Sequence, residues 1–279
     1  NPLGAEQRHV GPLVALADAL VNLPRLKILD LSQCTLIGPA AHRYRGLNEL
    51  GNAFARVKNC LTHLRISDNG LHGEAALIVG GWLTHLPKLR YFDISRNPLA
   101  CDPLGKRSRS GFDPLCGGLR IPSHLRRLLL RSVGIDDGEA EAVASFLAFS
   151  VRLETLDLSE NQMHVRAARH LAGAIRSNGS LSSLLLGHNS IGDEGALLLA
   201  TSIPHATSLV EIDVSSNGLT GSGNRVKKAF IEAALASDSI ETFGQVSLAA
   251  CPPRRAHDSP VVCDQLCPKL LDDRRDSTT

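Results

Sequence analysis

The chain has 279 residues, enough for one large domain or two ordinary ones; 43% are hydrophobic but only 4% aromatic, so any core is aliphatic. A formal net charge of +2 gives no electrostatic reason to expect a polyanionic partner. No apolar run approaches the roughly 18 residues of a membrane-spanning helix.

The first residues, Asn1-Pro2-Leu3-Gly4, have the form of a segment that closes a strand further on, Asn97-Pro98-Leu99. Residues 8 to 22 then place Val10, Leu13, Leu16, Ala17 and Leu20 on one helical face. The chain thus opens partway through a structural unit, and more units or another domain are expected upstream of Asn1. Leu26, Leu29 and Leu31 follow, with outward residues between the last two, as in a short strand, and Cys34 comes three residues later.

That pattern returns along the chain. It reappears as Leu61, Leu64, Ile66, Asn69 and as Leu89, Phe92, Ile94, Asn97. Leu125, Leu128, Leu130, Val133 and Leu153, Leu156, Leu158, Asn161 come next, then Leu181, Leu184, Leu186, Asn189. Leu209, Ile212, Val214, Asn217 is the last full copy, and Ile240 with Phe243 a degenerate one. The leading residues are 35, 28, 36, 28, 28, 28 and 31 positions apart, a period that belongs to a repeat architecture.

Each template position has a physical task. The two inner apolar residues face a core and stack on their counterparts in the next copy, so the strands form a parallel sheet. The asparagine offers two donors and an acceptor to backbone groups that turn away from the sheet and are too costly to leave unpaired. Cys34 fits that slot as a small, weakly polar substitute. Val133 cannot hydrogen-bond there, which predicts a locally looser turn. The rest of each unit reads as a helix. Ala196, Leu199, Ala200 and Ile203 fall at helical spacing, as do Val165, Ala168, Leu171, Ala172 and Ile175.

A 28-residue β-α unit of the form L-x-x-L-x-L-x-x-N-x-L resembles the leucine-rich repeat of the ribonuclease-inhibitor-like subfamily, over roughly residues 1 to 246. The resemblance implies an α/β solenoid, a horseshoe with a parallel concave sheet and convex helices, and a curved protein-binding scaffold. Residues 1–249 are assigned to it and 250–279, with Pro252-Pro253, charged pairs and a Ser/Thr end, to an extended or disordered tail.

Two units carry insertions. Residues 35–60 add polar sequence around His42-Arg-Tyr44-Arg, and 100–124 add the basic run Lys106-Arg-Ser-Arg-Ser110. Insertions leave a solenoid as loops and serve as binding elements or as plain solvated loops.

Alternate strand residues face the concave side. The candidate partner surface there comprises His63, Arg65, Tyr91, Asp93, Arg96, Arg127 and Arg131 in the middle, with Asp157, Glu160, Glu211 and Asp213 towards the C-terminal end. A basic centre beside an acidic end suits a partner of complementary charge; the same charges would also serve solubility alone. The four arginines lie on neighbouring strands about 4.8 Å apart, so they are expected to converge on one acidic element.

The seven cysteines are odd in number and scattered, a pattern of reduced thiols in an intracellular, most simply cytoplasmic, compartment rather than of a disulfide scaffold. Cys251, His257, Cys263 and Cys267 lack close zinc-ligand spacing apart from one pair, so no metal or other cofactor is expected. Gly221-Ser-Gly223 lacks the order of a phosphate loop, and no nucleophile or metalloprotease motif occurs. Two tyrosines and one tryptophan at near-neutral charge speak against nucleic acid. Nothing indicates a homo-oligomer. The sequence therefore reads as a non-catalytic protein-binding scaffold or subunit of a larger assembly. Two alternatives share the repeat type. One is a GTPase-activating protein resembling the Ran activators, although the tail here is not acidic. The other is the ligand-sensing end of a nucleotide-binding immune receptor.

Overall fold

The computed structural model describes residues 10–38, 43–56, 60–108, 111–122, 124–219, 223–243 and 246–247. Strands and helices alternate. The strands are β1 (Ile28–Asp30), β2 (His63–Arg65), β3 (Tyr91–Asp93), β4 (Arg127–Leu129), β5 (Thr155–Asp157), β6 (Ser183–Leu185), β7 (Glu211–Asp213), β8 (Thr242–Phe243) and β9 (Val246–Ser247). The helices are α1 (Val10–Val21), α2 (Arg45–Arg56), α3 (Gly73–Leu83), α4 (Phe112–Leu119), α5 (Asp137–Phe149), α6 (Val165–Ser177), α7 (Gly192–Ser202) and α8 (Gly223–Ala236).

The sheet runs β1 to β9 in chain order, and β1 to β8 are parallel. Register pairs equal template positions: Leu64 lies opposite Phe92, Leu128 opposite Leu156 and Leu156 opposite Leu184. These residues are wholly buried, as are Ile66, Ile94, Leu130, Leu158 and Leu186, two positions further on. The eight expected parallel strands are present. The ninth was not expected: β9 turns back antiparallel on β8, giving the last parallel strand a partner along its outer edge.

The asparagine slot forms a stitched column. Asn161 donates from Nδ2 to the carbonyls of Leu130, Leu158 and Ser159, while its Oδ1 accepts from the Val133 and Ile135 amides at 3.1 and 3.0 Å. Asn69, Asn97, Asn189 and Asn217 repeat the scheme. The Cys34 thiol donates to the Ser32 carbonyl at 3.3 Å, the weak counterpart expected of it. At Val133 the side chain supplies nothing. The Leu99 amide turns to the carbonyl of Asn97, and the Ala100 amide reaches the Val133 carbonyl only at 3.4 Å.

The residue before each slot is left-handed: Gln33, Asp68, Arg96, Ser132, Glu160, His188 and Ser216 have φ between 53° and 57°. The amide of each from Asp68 to His188 donates to the next repeat, as Glu160 does to Gly187 at 2.9 Å. These lateral bonds offset the steric cost of the conformation.

On the helical side small residues set the spacing. A Cβ on Gly118 of α4 would collide with the Gly80 carbonyl of α3, so these helices meet backbone to backbone. Trp82 fills the space between α2 and α3, donating from Nε1 to the Leu47 carbonyl at 3.2 Å and meeting Phe54 edge-on.

Neither insertion is simply a solvated loop. Tyr44 folds onto α3, its hydroxyl 3.2 Å from the buried His72 ring, and burial pushes that hydroxyl up to about 12. Residues 101–107 form a tight turn closed by a bridge between Cys101 and Arg107, with Asp102 accepting from the Leu104 and Lys106 amides. Arg107, expected in a partner-seeking basic run, is instead clamped inward. It reaches Asp136 at 2.7 Å, buried Glu139 at 2.9 Å and the Gly134 carbonyl at 3.1 Å. Asp136 and Glu139 also form the reciprocal cap of α5. Burial holds the Glu139 carboxyl above its ordinary value, whereas the hydrogen bond with Glu139 lowers Asp136, so the pair shares its charge with one guanidinium.

Candidate functional site: the exposed sheet face

The three-residue strands present two outward rows, first and last, and the residues on them differ in how far they are already committed. In the row that ends each strand, Asp93, Asp157 and Asp213 accept from the amides of Ser95, Ser159 and Ser215 at 3.0, 2.9 and 2.8 Å. Asp30 and Ser32 do the same at 3.0 Å. The Asp-x-Ser step is therefore an Asx turn that ends the strand. It recurs in the sequence at fixed offset and was legible there, but was read only as surface charge. Asp157 is 9% exposed, so its carboxylate is largely withdrawn from the face.

Several expected binding charges face one another. Arg131 pairs with Glu160 at 2.5 Å, and that hydrogen bond raises the arginine and lowers the glutamate. Glu211 accepts from the Ser183 hydroxyl at 2.5 Å. Arg65 lies 3.4 Å from Asp30. The four arginines thus do not converge as one unpaired cluster: Arg65 and Arg131 each have an acidic neighbour within the chain.

What remains is a compact patch on β2 to β4. His63 stacks on Tyr91, ring centroids 5.6 Å apart at 23°. The Arg65 guanidinium sits 5.1 Å from the centroid of the same tyrosine. The Thr62 hydroxyl lies 2.9 Å from His63 Nδ1 and steadies the imidazole. Arg127 is next to Tyr91 in register and exposed, and Arg96 is exposed on the rim, launched by its left-handed backbone. Among the described residues neither makes an ion pair; Arg96 lies within electrostatic reach of Glu160, and Arg127 presents its charge to solvent. Stacked rings between guanidinium groups form a rigid, amphipathic surface of the composition found at the centres of protein interfaces.

Among the described residues no group of three or more His, Cys, Asp or Glu side chains could hold a metal ion, and no helix is long and apolar enough to cross a membrane. Cys34, Cys60, Cys101 and Cys116 are free thiols. Cys251, His257, Cys263 and Cys267, Gly221-Ser222 and the whole of 250–279 lie outside the described residues.

A parallel sheet of template-matched strands, backed by helices and stitched by one asparagine per turn, defines a leucine-rich-repeat protein. The family model for the leucine-rich repeat matches residues 57–77, 177–200 and 205–223. The repeats are of the ribonuclease-inhibitor-like kind: the chain is 31% identical over 153 residues to the ribonuclease inhibitor of Sus scrofa, covering 53% of this chain and 31% of that protein. It is 28% identical over 204 residues to the Tonsoku-like protein of Danio rerio, 69% of this chain and 14% of that one. It is 26% identical over 209 residues to the human NACHT, LRR and PYD domains-containing protein 14, 74% of this chain and 18% of that one. The chain thus spans less than a third of each of these relatives.

Proposed function

We propose that this chain is a non-catalytic scaffold that holds a partner protein on its concave face, centred on His63, Tyr91, Arg65, Arg127 and Arg96. The leucine-rich repeats themselves indicate a protein-interaction scaffold. The observation that carries the finer reading is the stacked His63–Tyr91 pair with Arg65 against it and two uncommitted arginines alongside. The rest of the face spends its charges on Asx turns and internal pairs. A partner with acidic side chains around an apolar or aromatic anchor fits this patch. Residues 100–124 contribute through their exposed turn rather than through Arg107, and the tail is a further contact in the same reading. An intracellular setting agrees with four free thiols.

The test is charge reversal at both uncommitted positions. R96E/R127E should lose most partner recovery in pull-downs from the source cell while melting like the parent chain. Undiminished recovery from the folded variant would assign binding to another surface. The GTPase-activator alternative is met directly by measuring GTP turnover of small GTPases with the chain added, where no stimulation is expected. The receptor alternative draws support from the similarity to a protein whose name couples leucine-rich repeats to NACHT and PYD domains. In that reading too the sheet face would take the ligand.

A further inference from the structure

The repeat register exposes a second surface, on the edge where each helix turns back to a strand. At the described positions four residues before the leading residue of a strand, the chain points to solvent. Asn22, His85, Ser177 and His205 are polar and exposed there, and Ala236 is small and exposed. In the two adjacent repeats between α4 and β5 it carries Ile121 and Phe149, which are 47% and 72% exposed. Val151, two residues after Phe149, is 81% exposed. The corresponding positions elsewhere hold Pro87, Gly179 and Thr207.

Large apolar residues are also exposed before β1, at Val21 and Leu23, but between α4 and β5 they occur in two neighbouring units on the same edge. Single exposed apolar residues are ordinary, but a contiguous group is a mark of contact with another surface. Phe149 and Val151, but not Ile121, border an open hollow of about 210 Å³ that Leu119, Leu125, Phe146 and Leu153 also line. It is wide enough for a large aliphatic side chain or part of an aromatic ring. Arg120 stands at one side, its guanidinium 5.3 Å from the Phe149 ring and its Nη2 donating to the Ser145 hydroxyl at 3.1 Å. Arg152 stands at the other, 3.2 Å from His124 Nδ1. Among the described residues neither arginine has a carboxylate partner.

We infer that this ledge is a second docking surface, taking a segment of another protein that sets large apolar side chains beside carboxylates. The apolar hollow supplies the seat and the two arginines select acidic flanks. A second copy of this chain fits poorly, because a two-fold contact through the ledge would bring the arginines of both copies together. The inference is independent of the concave-face proposal, since no residue is shared.

The test uses the full chain and a set of labelled short peptides with one Leu/Phe pattern and either Glu/Asp, Ser or Lys at the remaining positions. The acidic peptide should bind about tenfold more tightly than the serine peptide, and the lysine peptide not at all. Phe149→Ser with Val151→Ser should abolish binding while leaving the melting midpoint unchanged, since both side chains are exposed. Arg120→Glu should weaken it and Arg120→Lys should largely preserve it. Equal binding of all peptides, or binding that survives the double serine variant, would overturn the proposal. A photo-crosslinking residue at 151 reports the occupant. A crosslink to the acidic peptide supports the inference, and one to residues 250–279 of the same chain or to a second copy overturns it.

Discussion

At the scale of single residues the chain depends on groups that close backbone hydrogen bonds. Asn189 serves the Leu158 and Leu186 carbonyls and the Met163 amide, and it is 7% exposed. Asn189→Ala should cost about 1–3 kcal/mol by stranding those groups, read as a lower denaturation midpoint at unchanged slope. His72 gives a pH dependence. Burial, with Arg43 beside it, holds its imidazole below the ordinary value, so the folded chain favours the neutral ring. Its contribution is therefore present above pH about 6.5 and is lost as pH falls through the lowered folded value. Denaturation midpoints at pH 7 and pH 5 should differ less in His72→Gln than in the parent chain. Equal differences would remove His72 as a source of acid sensitivity.

At the scale of elements, spacing in the sequence was enough to place strands and helices, because alternate burial and helical periodicity are local properties. Residues 8 to 22 read as a helix, and α1 spans Val10–Val21 with Leu13, Ala17 and Leu20 buried. What could not be read is what distant residues do to one another. Arg107 looked like part of a basic run, and only the fold brings Asp136 and Glu139 to it, 29 and 32 residues on. Alternation along a strand points to the outward positions, yet the division into committed and uncommitted charges depends on side-chain pairs across strands, such as Arg131 with Glu160. Two element-level expectations follow. Gly118→Ala should destabilise by about 1–3 kcal/mol, because α3 and α4 touch through backbone and must move apart. Arg107→Ala should remove a guanidinium that Asp136 and buried Glu139 both contact, at a cost of about 1–3 kcal/mol. Hydrogen exchange should quicken first in 101–107 and 134–139.

For the whole molecule, one aliphatic core runs from α1 to α8 without interruption. Each unit touches mainly its neighbours, so stability is close to a sum of unit terms and nearest-neighbour terms. Among the described residues, the run of stitches from Asn69 to Asn217 is broken at Val133, just after the unit that carries the eight-residue α4. Arg107 bridges that place from the preceding unit, bonding the Gly134 carbonyl and the cap of α5. The basic insertion therefore acts as a rivet where the side-chain stitch is missing. With the rivet removed, the solenoid should part into two cooperative blocks, β1 to β3 with their helices and β5 to β7 with theirs. Native-state exchange would then resolve two opening free energies where the intact chain should give one, and the parting plane would pass through the ledge between α4 and β5. A ligand seated on that ledge would span the same plane and clamp the two blocks together, so binding there would be felt along the whole length of the sheet.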